Sequence, residues 1–352
     1  MPKFPHSLLL AGLLLLSSCY SAEQLSIDYM LPADISFPPT LKRVAVVNNM
    51  PNIPDNQLIL SEENPSKKEN EVARTTNYYN GDAAITTEAL AEALAAENYF
   101  EEVVVCDSAL RSKDITSREG TLTQQEVIEL TQSLSVDFLI ALENVQMRAV
   151  RKISRIPDFS NYLLGTTDVK VYPTVKVYLP NRKGAMVTVS SNDSIFWETQ
   201  GATEGYVRNY LISDEEMLRQ ASEFAGTVPV KHLLPYWKSG TRYLFSGGSV
   251  NMRDAAVYAQ KGDWTEAIKL WQQTYATQKG KKKMYAAYNT ALGYEMQDNI
   301  EDALAWALKA QAVIHEKELT DYFFFINLYV DELNKRKEGM ARLNMQMDRF
   351  NE

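Results

Sequence analysis

The sequence predicts an α/β domain with a mixed sheet over residues 40–240, followed by an all-α helical domain over residues 248–340. Two observations support this division. In the first region, short β-branched runs alternate with helical patterns and are followed by strictly alternating apolar and polar residues, which indicates a mixed sheet with helices mainly on one face. In the second region, apolar residues recur with helical spacing in two similar segments.

The α/β region begins with the run RVAVV at Arg43, which is typical of a buried strand. Residues 49–81 are rich in Asn, Pro, Glu and Lys, so we expect a long irregular insertion there. Over residues 82–98 the apolar residues fall on one helix face, and Thr86 and Thr87 offer capping hydroxyls near its start. Residues 103–106 are predicted to form the next strand.

The second half of this region changes character. Thr123 and Glu126 fit a capping box, so a helix is predicted from there to about residue 134. Residues 136–142 form a third strand, which gives the order β-α-β-α-β. Residues 169–179 alternate between apolar and polar, as strands of an antiparallel sheet do when one face is buried. Strands over 185–189 and 194–197 and a helix over 214–234 complete the domain.

The order and sequence of these elements resemble those of known lipoprotein families. The runs RVAVV, ALAEALAAENYFEEVVV and SVDFLIALENV, followed by paired amphipathic strands, resemble the periplasmic domain of the curli-secretion lipoproteins. They are also similar to the lipoprotein activators of penicillin-binding proteins. The resemblance covers about 200 residues and contains no catalytic motif. The whole chain also resembles an uncharacterised family of Gram-negative lipoproteins that join such a domain to a helical tail.

The helical region contains an internal repeat, since AAVYAQKGDWTEAIKLW and ALGYEMQDNIEDALAWA correspond at an offset of 36 residues. The pattern is similar to tetratricopeptide repeats, whose usual period is about 34 residues and in which small residues let two antiparallel helices approach closely. The residues expected to pack between the repeat helices are Ala255, Tyr258, Trp264, Ala267, Trp271, Ala291, Tyr294, Ala303 and Ala310.

The departures from that pattern lead to further predictions. Turns are predicted at residues 261–263 and 297–299, and residues 279–283 are expected to lengthen the loop between the repeats. Because at least three units are normally needed for stability, we expect a capping helix over 321–338, with residues 322–325 covering the exposed end. Gly247 and Gly248 are interpreted as the hinge between the domains. An unrelated pair of helical hairpins is the alternative to the repeat.

The N-terminus is typical of an export signal. An apolar run over residues 8–16 leads into Leu16-Ser17-Ser18-Cys19, which resembles a bacterial lipobox. The resemblance implies that Cys19 receives a diacylglycerol, that residues 1–18 are removed and that the new amino group is acylated. Residues 19–39 are then expected to be a tether. The alternative is an ordinary cleaved signal with a chance cysteine.

Composition excludes some classes of protein. The net charge of −9 argues against a nucleic-acid partner and against electrostatic adhesion to an anionic bilayer, which leaves the N-terminal lipid as the predicted membrane contact. Cys106 is the only other cysteine, so no disulfide framework is expected. It lies in an apolar run and is predicted to be a small core residue rather than a reactive thiol.

The sequence offers no catalytic, metal or cofactor constellation. His6, His232 and His315 are too far apart to suggest a cluster, and no phosphate-binding or nucleophile motif occurs. One basic stretch stands out in an acidic chain. Its members are candidates for contact with an anionic glycan or lipid headgroup, with a solvated loop as the alternative: Arg148, Arg151, Lys152 and Arg155.

Three functions follow from these observations. The first is a non-enzymatic lipoprotein anchored in the outer membrane of a Gram-negative bacterium, acting as an adaptor for an unidentified envelope protein or peptide. The second is an oligomeric secretion component of the curli type. The third is a protein or enzyme that acts on cell-envelope glycan.

Overall fold

The structure is a computed structural model that describes residues 22–51, 61–62, 70–106, 108–112, 114, 121–156, 162–317 and 319–351. Cys19 and the predicted signal peptide therefore lie outside the described residues. The described chain forms two compact units. We call residues 33–235 with 346–351 the α/β unit, and residues 22–32 with 236–345 the helical unit. The predicted fold class is confirmed.

Ten strands are present in the described part of the chain. They are β1 (Ala22–Leu31), β2 (Arg43–Asn48), β3 (Ser61–Glu62), β4 (Glu71–Asn80), β5 (Glu102–Cys106), β6 (Phe138–Arg155), β7 (Leu163–Tyr178), β8 (Ala185–Ser190), β9 (Asp193–Gly201) and β10 (Tyr236–Phe245). Strands β2 to β9 form an eight-stranded sheet, and β1 pairs only with β10.

The described helices are α1 (Ala83–Ala96), α2 (Gln124–Leu134), α3 (Glu204–Tyr210), α4 (Asp214–Thr227), α5 (Val230–Leu233), α6 (Val250–Gln260), α7 (Trp264–Thr277), α8 (Gly280–Glu295), α9 (Ile300–Lys317) and α10 (Phe323–Met347). Short 3-10 turns lie at Thr320–Tyr322 and Asp348–Phe350. None of these helices is both long and apolar enough to cross a membrane.

The long strand β6 organises the eight-stranded sheet. One edge of β6 pairs first with β2 in parallel and then with β4 in antiparallel, while the other edge pairs with β7 along its length. β5 extends the parallel part beyond β2, and β8 and β9 pair with β7. The sheet is therefore mixed, with its parallel strands confined to the β-α-β-α-β segment that the sequence predicted.

Helices cover both faces of this sheet. Leu90 of α1 and Met217 of α4 belong to the larger core, with Val44 and Ile140 of the sheet. Val127 of α2 packs in a smaller core on alternate strand residues such as Ala45 and Leu139. The prediction of helices mainly on one face is confirmed, because α1, α4 and α5 all contribute to the larger core, whereas α2 contributes to the smaller core on the opposite face.

Local chemistry explains the helix starts. Thr123 and Glu126 form the predicted capping box. For α1 the capping prediction was wrong. Asp82 caps the helix by accepting a hydrogen bond from the Ile85 N–H at 3.0 Å, whereas Thr86 and Thr87 lie inside it and are buried.

Three predicted boundaries were also wrong. Residues 22–31 are not a tether but strand β1, antiparallel to β10, and Phe37 further along is buried in the α/β core. Within the predicted insertion, β4 forms a ten-residue strand, and residues 52–60 and 63–69 lie outside the described residues. The helix predicted over 214–234 ends at Thr227, because proline at position 229 lacks the N–H that a continuing helix needs.

The helical unit follows the predicted repeat pattern closely. Its turns lie where the sequence placed them, with Asp263 capping α7 and Gly262 and Asp298 at positive φ of 80° and 57°. Residues 279–283 depart from prediction, since all but the first lie inside α8 rather than in a loop. Gly247 and Gly248 lie between β10 and α6, inside this unit, so they are not a hinge between the two units.

A buried ionic network holds β10 to the helices of this unit. Glu295, whose side chain is 1% exposed, accepts hydrogen bonds from Arg242 at 2.9 and 2.8 Å and from Arg336 at 2.5 Å. Its fourth contact is the Tyr329 hydroxyl at 2.8 Å. Glu332 adds a contact to Arg242 at 3.1 Å and accepts a hydrogen bond from Tyr29 of β1. All four hydrogen bonds that Glu295 accepts thus come from side chains that are themselves buried.

Candidate functional site

A concave surface of the α/β unit lies between helices α1 and α4. Their backbones approach closely because Gly226 has no side chain: a Cβ there would lie 2.7 Å from the Leu90 nitrogen and from the Thr86 oxygen. Hydrogen bonds fix the crossing, since the Thr86 hydroxyl donates to the Ser222 carbonyl at 3.1 Å and the Ser222 hydroxyl accepts from the Asp82 N–H at 2.9 Å.

On the outer side of this crossing the two helices and β9 enclose an open groove of about 1020 Å³. The groove floor is apolar and half-buried, and is formed by Ile85, Ala89, Ala93, Ile195 and Phe224. Because the alanine side chains are small, they leave a depression between the two helices, which flank the groove on either side. A segment of another chain with an apolar stripe would fit this shape, in the way a helix lies in a groove.

The groove rim is mainly acidic. Glu88, Glu92 and Glu223 are exposed along it, and the one basic side chain among the rim residues is Arg219. Arg219 is held within its own helix by Glu223 and by Glu216, which lies at 2.5 Å.

This pairing has an electrostatic consequence. The hydrogen bonds from Arg219, together with one from Gln220, lower the pKa of Glu216 to about 2, so this carboxylate stays charged at any physiological pH. In the described part of the chain Glu88 and Glu92 have no ion-pair partner. The rim therefore presents negative charge that is left free for a basic group on a ligand.

A second polar cluster lies where β2 ends beside the interior of the long strand β6. Glu143 is buried and accepts hydrogen bonds from the Tyr178 hydroxyl at 2.8 Å and from the Asn49 amide at 3.0 Å. Burial raises the pKa of Glu143, although these hydrogen bonds and the Lys176 ammonium at 3.9 Å oppose the rise. Its carboxylate is occupied by protein groups, so the cluster joins β2, β6 and β7 rather than presenting a free acid.

A smaller cavity of about 260 Å³ lies nearby, at the end of β2 and the start of α1. Ligands in open α/β sheets often bind at such a strand end. Asn48, Asn80, Asp82 and Ser112 line it, but the Asp82 carboxylate caps α1 and the Asn48 oxygen accepts from the Met50 N–H. Among the described residues, no group of three or more His, Cys, Asp or Glu side chains is placed to hold a metal ion.

The basic stretch lies in strand β6, so the loop interpretation was wrong. Arg151 pairs with Asp214 at 2.8 Å and donates to the Ile212 carbonyl, also at 2.8 Å. Lys152 lies 3.7 Å from the buried carboxylate of Glu71. Arg148 is half-buried and only Arg155 is exposed. Two of the four predicted anion contacts are thus already used within the unit, and the four residues alternate between the two sheet faces.

The residues predicted to pack between the repeat helices are placed as a group in the helical core. Six of them are fully buried, at 0% exposure: Ala255, Ala267, Trp271, Ala291, Ala303 and Ala310. Trp264 and Tyr294 are half-buried at the edge of this core. Tyr258 is the exception, since it is 39% exposed and does not fill a groove between helices. Cys106 is half-buried beside the smaller α/β core.

The sequence did not reveal the groove between α1 and α4. Its floor residues on α1 had been assigned to the buried face of that helix, and helix α4 lies about 130 residues further along the chain. One signal was available, because Ala89, Ala93 and Ala96 form a stripe of small residues beside an acidic row at Glu88 and Glu92. Only the close approach of α4 at Gly226 turns that stripe into the floor of a groove.

Fold and groove together define a class of two-unit protein, in which an α/β unit with an acidic-rimmed groove is joined to a unit of antiparallel helices. The chain belongs to the family described as Domain of unknown function (DUF8603), whose model matches residues 41–245, more than half of the 352 residues. Residues 253–335 match a second family, described as Domain of unknown function (DUF6340). No curated protein and no solved structure matches the chain.

Proposed function

We propose that this chain is a non-enzymatic lipoprotein, anchored in the outer membrane of a Gram-negative envelope through Cys19, that acts as an adaptor by docking a partner protein in the groove between α1 and α4. The observation that carries the proposal is the groove itself, with its apolar floor and unpaired Glu88 and Glu92 on its rim. The partner segment is one with an apolar stripe flanked by Lys or Arg. The lipobox at Leu16-Ser17-Ser18-Cys19 supports the anchor.

Several features favour docking over catalysis as the role of this surface. The groove is wide and open, whereas small-molecule sites bury most of their ligand in an enclosed pocket. Glu143, the buried acid with a raised pKa, is engaged by Tyr178 and Asn49 and does not line the groove. A groove in which shape and charge are complementary to a peptide needs no reacting group.

Site-specific photo-crosslinking in living cells tests the docking site. A photoreactive amino acid at Glu92, on the groove rim, is expected to crosslink to one partner of defined mass. The same amino acid at Glu97, the exposed residue that ends the same helix outside the groove, is the matched control and is expected not to. Equal crosslinking at both positions, or no crosslinking at Glu92, would contradict the docking site.

A charge test complements it. Glu92→Lys should weaken capture of the crosslinked partner at least tenfold, because a basic partner would then meet a positive rim. Glu97→Lys makes the same change of charge outside the groove and should leave capture unchanged.

The anchor is tested separately. Cys19→Ala should remove the acyl chains and leave the chain uncleaved or soluble after membrane sedimentation in mild detergent-free buffer. A Cys19→Ala variant that sediments with membranes as the unaltered chain does, with the signal removed, would refute lipid anchoring while leaving the groove untouched.

A further inference from the structure

One end of the helical unit combines exposed aromatic side chains with a cluster of lysines. We call it the lysine-rich end and define it by residues 245–250, 279–285 and 320–325. Tyr285 joins these segments, since its ring centroid lies 4.1 Å from that of Phe245 and its hydroxyl is hydrogen bonded to that of Tyr322 at 2.5 Å. Helices α6, α8 and α10 all begin at this end.

The aromatic residues predicted to cover the end of the repeat, 322–325, do so only in part. Phe324 is 78% exposed and Phe323 47% exposed, although residues 322–325 were expected to close the end of the repeat. Only the flanking aromatics pack inward: Tyr322 lies against Tyr285, and Phe325 against Tyr288. Adjacent exposed phenylalanines form an apolar patch, and contiguous apolar patches on a surface often mark contact with another protein or with a membrane.

The charged part is a run of four lysines in an otherwise acidic chain of net charge −9. Lys279, Lys281 and Lys282 are exposed, and Lys283 is half-buried. None of the four forms an ion pair with a carboxylate of the described chain. Two lie over aromatic rings, Lys281 at 5.2 Å from the Tyr322 centroid and Lys283 at 4.6 Å from that of Tyr275.

The position of these lysines is unfavourable for the fold alone. They occupy the start of α8, where Lys279 is the N-cap residue and makes no capping hydrogen bond, and the first turn contains no acidic residue. Positive charge at a helix N-terminus is repelled by the helix dipole. The cluster is therefore better matched to an external anionic surface than to the helix that carries it.

The chain enters the helical unit beside this end. Ala22, the first residue of β1, is paired with Phe245, whose backbone exchanges hydrogen bonds with Asn289 at 3.1 and 2.7 Å. Cys19 is three residues earlier in the sequence, and three residues span at most about 10 Å. Acyl chains on Cys19 must then enter a bilayer within that distance of Ala22.

We propose that the lysine-rich end lies flat against the phospholipid bilayer, with Phe323 and Phe324 in the headgroup region and the lysines on anionic headgroups. This inference rests on the proposed acylation of Cys19. It corrects the expectation, drawn from net charge, that electrostatics plays no part in membrane contact: the local charge of this end is opposite to that of the whole chain. Aromatic side chains favour the membrane interface, and basic clusters favour anionic lipids. The acylated chain is thus held in one orientation rather than hanging on a free tether.

The test uses the full acylated chain reconstituted into vesicles of phosphatidylethanolamine with about 30% phosphatidylglycerol, in a Cys106→Ala background. A fluorophore is attached either at Asp321→Cys, at the lysine-rich end, or at Gln297→Cys, in the exposed turn at the opposite end of α8. Quenching by a nitroxide-labelled lipid should be several-fold stronger at position 321 than at 297. Equal quenching at the two positions would overturn the inference.

Charge reversal provides the matched control. Lys279→Glu with Lys282→Glu should reduce quenching at position 321 in these vesicles, and raised salt should have the same effect on the unaltered lysines. The same reversal at Lys261 and Lys335, both exposed and outside the lysine-rich end, should have no effect. An equal loss from both pairs would overturn the inference.

The same samples separate this inference from the anchor on which it rests. Mass spectrometry of the N-terminal peptide reports whether Cys19 is acylated. An unacylated Cys19 in a chain that does not sediment with vesicles refutes the anchor and this inference together. An acylated chain that sediments but is quenched equally at 321 and 297 refutes only the orientation.

Discussion

Replacing Gly226 by alanine tests the helix crossing that creates the groove. In an exposed helix this change normally stabilises by about 0.5–1 kcal/mol, because alanine loses less backbone entropy on folding. At Gly226 the new methyl group would lie 2.7 Å from two backbone atoms of α1, well inside the 3.4 Å at which ordinary contact begins. Neither neighbour is the end of a flexible side chain, so the helices themselves must separate.

The size of the effect follows from what that separation breaks. Overpacking a well-packed contact costs about 1–3 kcal/mol. The hydrogen bond from the Thr86 hydroxyl to the Ser222 carbonyl, already 3.1 Å long, would lengthen further, and a net hydrogen bond contributes about 1 kcal/mol. After subtracting the usual gain from alanine, we expect Gly226→Ala to lower the stability of the α1–α4 pair by about 2 kcal/mol.

Hydrogen exchange of the full chain, read by mass spectrometry, is the assay because it reports α1 and α4 directly. A loss of about 2 kcal/mol corresponds to roughly thirtyfold faster exchange through opening of these helices. Gly205→Ala is the matched control, because Gly205 lies in helix α3 and a Cβ there meets nothing within 4 Å. It should slow exchange or leave it unchanged. Unaltered exchange in Gly226→Ala would refute the assignment of a tight crossing.

Three further predictions concern the buried acids and the assembly state. Glu295→Gln should destabilise the helical unit by about 3–5 kcal/mol in thermal unfolding, because it leaves the buried guanidinium groups of Arg242 and Arg336 uncompensated, whereas Glu301→Gln, at an exposed site, should change little. Burial raises the pKa of Glu143 in the folded state, so the stability that its protonated form contributes is complete below the ordinary pKa of 4.5 and is lost as pH rises through the folded-state pKa. Urea unfolding measured over a pH series should show this fall in stability, and Glu143→Gln should flatten it. Light scattering after size exclusion should give the mass of one chain, and a closed ring would instead favour the curli-type secretion component.

Local sequence patterns predicted some strands of the α/β unit and missed others. The alternation over residues 169–179 predicted β7 because its buried positions, such as Val169 and Val177, lie at 0% exposure on one face. The strand β4 was missed because most of its residues are only partly buried, so EVARTTNYYN has no clean alternation to detect. Its pairing with β6 is set by tertiary contact rather than by local pattern.

The strand β1 was missed for a different reason. Its buried residues Ile27 and Tyr29 do alternate, but polar and proline residues nearby favoured a tether. This strand pairs with β10, which lies more than 200 residues away, and no local feature of the sequence indicates that pairing. Long-range pairing of this kind is what a sequence pattern describes least well.

The lysine-rich end consists of residues that depart from the pattern predicted from the sequence. Residues 322–325, which include Phe323 and Phe324, were predicted to cover the exposed end of the repeat because only two units are visible. Residues 279–283 were predicted to lengthen the loop between the repeats because the offset of 36 residues exceeds the usual period of about 34. In the structure the phenylalanines are exposed and the lysines begin α8. Each arrangement is unfavourable in water alone, and each becomes favourable against an anionic bilayer. Local choices that cost stability are expected where function demands them, and these two support the proposal that this end of the helical unit faces the membrane.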